Sequence, residues 1–219
     1  GGAFAAKQSP AGYLDAFIIR LSPDLTSFTA GTYYGIAAAN YASGVAAQAV
    51  ALSASEVFIG GLAGATEGLV PLPGVSGGAQ ATIGGGSALD GYVARFSSSL
   101  ATLNQATYFG GNGADGILDL ELLGGNVYAV GSTASSNLPF AAGGAQPTYG
   151  GAVDAFATVI SGDLLGVDTI PDPFTFIDQT GVPLSTIVTS NTVAIGGLGA
   201  AAAISVVGGE YRINAGAFT

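Results

Sequence analysis

Residues able to do chemistry are few in this chain of 219 residues, which holds 14 acids, 4 bases and neither His nor Cys. Gly74-Val75-Ser76-Gly77-Gly78 satisfies the Gly-x-Ser-x-Gly pattern, which in hydrolases sets a nucleophilic Ser on a strained turn beside a His base. With no His to take the hydroxyl proton, the match reads as a glycine-rich loop. Gly111-Asn112-Gly113-Ala114-Asp115-Gly116 satisfies the dinucleotide fingerprint, yet no helical period follows it and Asp115 would repel a pyrophosphate. The overlapping run Gly110 to Leu118 fits one nonapeptide of the calcium-binding β-helix type, where glycine permits the turn while Asp and carbonyl oxygens hold the ion. Asn112, Asp115 and Asp119 are its candidate calcium ligands, and calcium is the one cofactor the sequence admits. Asp119 and Glu121 share a strand face at about 6.5–7 Å, a spacing that overlaps that of glycosidase carboxylates. Their alternation with Leu118, Leu120 and Leu122 instead makes them the wet face of a half-buried strand. No set of residues here supports catalysis.

The elements that must carry these residues are strands. Thirty-seven glycines, with neither Met nor Trp, describe short strands and tight turns. A repeat organises them: Gly1-Gly2-Ala3-Phe4 runs to Asp15-Ala16-Phe17, Gly77-Gly78-Ala79-Gln80 to Asp90-Gly91-Tyr92, and Gly143-Gly144-Ala145-Gln146 to Asp154-Ala155-Phe156. Downstream, Thr32-Tyr33-Tyr34-Gly35 matches Thr107-Tyr108-Phe109-Gly110, so copies start at 1, 77 and 143, the third partial. Strand-like runs in the second copy cover 92–96, 105–109, 117–123 and 126–130, and in the first 17–21, 32–36, 46–52 and 56–60. The Gly124-Gly125 pair suits a hairpin turn. Four strands per period predict one antiparallel propeller-like blade per copy. Stretch 35–43 of the first copy, at the place of the calcium-type nonapeptide, has no acid. Recurrent aromatics Phe17, Tyr92 and Phe156 read as packing between sheets, and Arg20 and Arg95, each five residues after an Asp, as a repeated ion pair or carbonyl contact.

These residues resemble the SBBP repeats of bacterial secreted proteins, whose pattern runs Gly-Ala-Phe, then Gly-Gly, then Asp-Ala-Phe and an apolar strand with a basic residue. Asp15-Ala16-Phe17-Ile18-Ile19-Arg20-Leu21 and Asp90-Gly91-Tyr92-Val93-Ala94-Arg95-Phe96 carry it, and Asp154-Ala155-Phe156-Ala157-Thr158-Val159-Ile160 carries it with Val in place of the base. The resemblance covers residues 1 to 165. It implies propeller blades and no single activity, and three blade starts do not close a ring of four to eight.

Around Ile170-Pro171-Asp172-Pro173 the repeat ends, because two prolines this close do not sit in a central strand. The fold expected is therefore all-β, with repeats over 1–170 and a short Ig-like β-sandwich over 171–219, built from 174–176, 192–195, 203–206 and 210–213. Its length falls short of the ~100 residues such a sandwich uses, so it is expected to be incomplete alone. Both termini are expected to cut through modules. A net charge of -10 argues against nucleic acid as partner, and the apolar stretch 192–207, interrupted by glycines, is shorter than the ~20 residues of a membrane span. The expected role is that of a noncatalytic extracellular or cell-surface structural protein whose partners are further copies of itself, joined head to tail. A ligand-binding or adhesin module, with surface polysaccharide as partner, is the alternative.

Overall fold

A computed structural model describes residues 14–36, 44–64, 71–85, 89–139 and 141–166, and shorter runs within 174–218. The chain divides into two units, Gly1–Gly166 and Val167–Thr219. The opening of the first repeat at Gly1-Gly2-Ala3-Phe4, most of stretch 35–43 and the Ile170–Pro173 boundary lie outside the described residues.

The first unit is all-β. Its strands are β1 (Ala16–Leu21), β2 (Phe28–Tyr34), β3 (Val45–Leu52), β4 (Glu56–Gly64), β5 (Leu89–Ser97), β6 (Leu103–Phe109), β7 (Asp115–Leu123), β8 (Asn126–Thr133) and β9 (Asp154–Ser161). Eight of them fall on the eight runs expected from the sequence. Every pairing is antiparallel, in three sheets ordered β1-β2, β3-β4-β5-β6 and β7-β8-β9.

How the strands are shared among sheets corrects the expectation of one sheet per copy. The middle sheet takes two strands from the first copy and two from the second, so sheets and repeats are out of phase by two strands. Two features cause this. β4 and β5 are apolar on both faces and pair without a slip from Glu56↔Ser97 to Gly64↔Leu89, which holds them together across the long connection between them. The short link from β6 to β7 is drawn away from its own sheet, because Asn112 N–H donates to Asn137 Oδ1 (2.7 Å) and Gly113 N–H to Ser135 Oγ (2.7 Å) in the loop after β8.

Stacking of the sheets follows from strand periodicity, since successive side chains point to opposite faces. Along β5, Tyr92, Ala94 and Phe96 face the first sheet, in a core with Ala16, Ile18, Ala30 and Tyr34. Val93 faces the third sheet, in a second core with Phe58, Ile117, Leu120, Val127 and Ile160. Between the first two sheets Tyr34 meets Tyr92, with ring centroids 5.4 Å apart, and between the next two Phe109 meets Phe156 at 4.9 Å. These pairs occupy matching repeat positions, so Tyr92 and Phe156 do pack between sheets as expected, whereas Phe17, at the same repeat position in the first copy, is exposed.

The β-sandwich expected over 171–219 is not formed among the described residues of the second unit. Residues 174–176, 192–195 and 210–213 carry no strand, and the run expected at 203–206 lies partly outside the described residues. Phe174 and Phe176 pack edge to face at 5.9 Å, and the Arg212 guanidinium sits 5.1 Å over the Phe218 ring. Ile187 and Val207 are 99% and 100% exposed.

Ile117 is fully buried in the second core while its neighbour Leu118 is 52% exposed. Ile117→Ala should therefore lower unfolding stability by about 2–5 kcal/mol, whereas Leu118→Ala should change it by no more than about 0.5 kcal/mol. Urea denaturation of both variants measures the contrast, and equal losses would show that the third sheet does not pack on the middle one.

Candidate functional site

The second and third repeats each fix their Asp by folding a glycine loop over it. Gly84 N–H donates to Asp90 Oδ2 and Gly150 N–H to Asp154 Oδ2, both at 2.6 Å, and Gly84 and Gly150 each lie seven residues after a Gly-Gly-Ala-Gln start. A side chain at Gly110 would collide with the Asp90 carboxyl, and one at Gly35 with that of Asp15, so the glycine of Thr-aromatic-aromatic-Gly is there for room. Asp90 is fully buried with Oδ1 unpartnered. Burial pushes its carboxyl up to about 7, the Gly84 N–H pulls against that rise, and the Asp115 charge adds to it.

The candidate calcium ligands have other work. Asp115, also buried, accepts hydrogen bonds at Oδ2 from Gly111 N–H (2.7 Å) and Ser135 Oγ (2.6 Å), leaving Oδ1 without a partner. Asn112 ties the same link to Ser136 through Oδ1, which accepts from the Ser136 N–H at 3.0 Å. Asp119 lies four residues further along β7, about 13 Å at strand rise, exposed, and accepts from the Leu120 N–H at 2.9 Å. The three are not brought together. No group of three or more His, Cys, Asp or Glu that could hold a metal is present among the described residues.

The remaining candidates are structural. Asp119 and Glu121 are exposed on one face of β7, opposite Val130 and Tyr128 of β8, as the alternation implied, but Leu118, expected on the buried face, is itself exposed where the ladder shifts register between Ile117 and Asp119. Ser76 lies in a loop whose carbonyl groups at Gly74 and Ser76 accept from Gln105 Nε2 at 2.9 and 3.1 Å. The run 111–116 leads into β7, not a helix. Arg20 donates to the Ser98 carbonyl at 3.1 Å, and Arg95 pairs with Glu56 at 3.5 Å, one carbonyl contact and one ion pair.

Sequence reasoning missed what Gly-Gly-Ala-Gln does. Residues 74–80 run along the outer edge of β6, where Gly74 C=O accepts from Ala106 N–H (2.8 Å) and Gln80 C=O from Tyr108 N–H (2.9 Å). Gln80 N–H donates to Thr107 Oγ1 at 2.8 Å, and its side-chain amide brackets Gly110, donating to the C=O at 3.2 Å and accepting from the N–H at 3.1 Å. The fourth strand of the middle sheet is thus gripped on both edges, by β5 and by this clamp. The signal was the recurrence of Gln at 80 and 146, read only as part of a repeat start.

No protein-family model matches the chain, and no curated protein matches it. The SBBP resemblance rests on the residues quoted for it.

Two outcomes follow. A carboxyl whose folded value lies above its ordinary 3.8 keeps its proton on folding, so the folded state binds more protons than the unfolded one between about pH 4 and 7. Asp90 therefore makes stability fall as pH rises through that window, and Asp90→Asn should flatten this part of the melting-temperature profile. A slope unchanged in Asp90→Asn would mean that the carboxyl is not held protonated. Chelation, in turn, should leave the melting temperature nearly unchanged, whereas a large drop would show calcium bound in the link from β6 to β7.

Proposed function

We propose that this chain is a noncatalytic extracellular structural protein, a surface or fibre subunit that assembles with further copies through its β-sheets. The observation that carries the reading is that, among the described residues, the outer sheets of the first unit have two and three strands against four in the middle one, and turn outward faces that are largely apolar, with Asp119 and Glu121 of β7 the acids among them. Phe17 (64% exposed), Ile19 and Leu21 face out from β1, and Tyr128, Val130 and Val159 from the third sheet. Such surfaces mark contacts, because a monomer rarely exposes contiguous apolar faces and an unfinished sheet edge recruits strands. Few bases stand in the way: the chain has 4 Lys and Arg, and none of the described residues on those outward faces is basic.

Localisation outside the cell is supported by the SBBP resemblance and by the scarcity of Lys and Arg as protease targets. The adhesin alternative asks for loop acids turned toward a ligand, and Asp90 and Asp115 are turned inward and buried.

Sedimentation velocity and electron microscopy of the full chain test the proposal. Polymers should form as concentration rises, and replacing both Phe17 and Tyr33 by Asp should shift the material toward monomer without loss of fold. A chain that stays monomeric at high concentration overturns the reading.

A further inference from the structure

The third repeat rebuilds the clamp, but among the described residues no strand is held in it. Its loop is made as in the second copy: Gln146 Nε2 donates to Thr148 C=O as Gln80 Nε2 does to Thr82 C=O, and Gly150 holds Asp154 as Gly84 holds Asp90. The supporting strand is also in place. Gly131 lies opposite Phe156 in the β8–β9 ladder as Gly61 lies opposite Tyr92 in the β4–β5 ladder. Yet Gln146 is exposed, and none of the bonds that bind Gln80 to Thr107, Tyr108 and Gly110 has a counterpart there.

The chain's own sequence does not suit the place. β6 begins six residues after β5 ends (103 against 97), and the same step from Ser161 reaches 167–173, Val-Asp-Thr-Ile-Pro-Asp-Pro. A strand gripped on both edges spends its N–H groups on β5 and on the clamp alternately, and proline has none. The stretch also lacks Thr-aromatic-aromatic-Gly, whose Thr hydroxyl and glycine backbone are what Gln80 binds.

We propose that the edge of β9 and the Gly143–Gln146 loop form a strand-binding site for an extended segment of Thr-aromatic-aromatic-Gly sequence supplied by another chain. This deepens the assembly reading and rests on it for its biological role: it names the acceptor and the chemistry of the donor. Backbone pairing with β9 supplies the attachment, and Gln146 reads the donor's Thr and Gly. In the third sheet the donor's second aromatic takes the place that Phe109 has in the middle sheet and Tyr34 in the first, on the face turned away from the preceding sheet, where each of those two packs on the aromatic of the following sheet, Phe156 and Tyr92.

The probe is a fluorescent, end-blocked peptide with the sequence of residues 104–111, Asn-Gln-Ala-Thr-Tyr-Phe-Gly-Gly, titrated into the full chain by anisotropy. Saturable binding is expected, with backbone amides of 154–161 gaining protection from hydrogen exchange. Replacing the peptide's Thr by Val, or Gln146 of the protein by Ala, should each weaken binding about tenfold, the worth of one or two hydrogen bonds. Gln80→Ala, in the clamp already filled by β6, should leave the affinity unchanged. No saturable binding, or binding shared by a scrambled peptide and indifferent to Gln146→Ala, overturns the site even if the chain polymerises. Specific binding by a chain that stays monomeric upholds the site and overturns the assembly reading instead.

Discussion

Everything in the first unit depends on the burial of the middle sheet on both of its faces. β4 and β5 carry apolar side chains in both directions, and each direction has its own core, one shared with the first sheet and one with the third. A sheet buried on one face fixes only its own register. One buried on both faces fixes its neighbours as well, because a slip of one residue in β5 would exchange Tyr92 with Val93 and put a phenol ring where a small aliphatic group packs. The aromatic pairs Tyr34–Tyr92 and Phe109–Phe156 repeat this lock at equal steps along the stack.

Strands were legible because period-two patterns and glycine punctuation are local, and Gly124-Gly125 closes the β7–β8 hairpin with both residues at positive φ. Sheet membership was not local. A repeat has no intrinsic starting point, so the same period can be cut into blades at any strand. What sets the cut is the contrast between a long connection bridged by an unslipped ladder and a short link anchored by Asn137 and Ser135. Those two polar residues lie more than twenty positions from the groups they hold, and no periodicity points from one to the other.

The same reasoning explains why the acids misled. Asn112, Asp115 and Asp119 form a calcium-like string on paper, but Asp119 lies four residues along the extended strand β7, past a bulge at Leu118, and is exposed while Asp115 is buried. The turn satisfies one of its N–H groups, that of Gly111, with Asp115, which is what a carboxylate buried near a glycine loop does best. Only repetition separated the two roles: Asp15, Asp90 and Asp154 recur, and Asp90 and Asp154 hold glycine loops, whereas the residue matching Asp115 in the first copy is Val45, at the same place in its ladder.

Repetition also makes the outer sheets informative. In a stack of like units, each surface that is buried in the middle has an equivalent at the ends, and the ends differ from the middle only in what covers them. Phe17 is the equivalent of Tyr92, yet one is 64% exposed and the other fully buried. The side chain has stayed large and apolar at both places, although a solvent-facing position on a short outer strand would tolerate a charge. Where the chain does change is β7, whose Asp119 and Glu121 stand at the ladder positions of Ala49 and Ala51 and face water. Polar substitution has also reached β8, where Ser132 stands at the ladder position of Leu62, whereas Tyr128, Val130 and Val159 keep aromatic or aliphatic side chains on the same face.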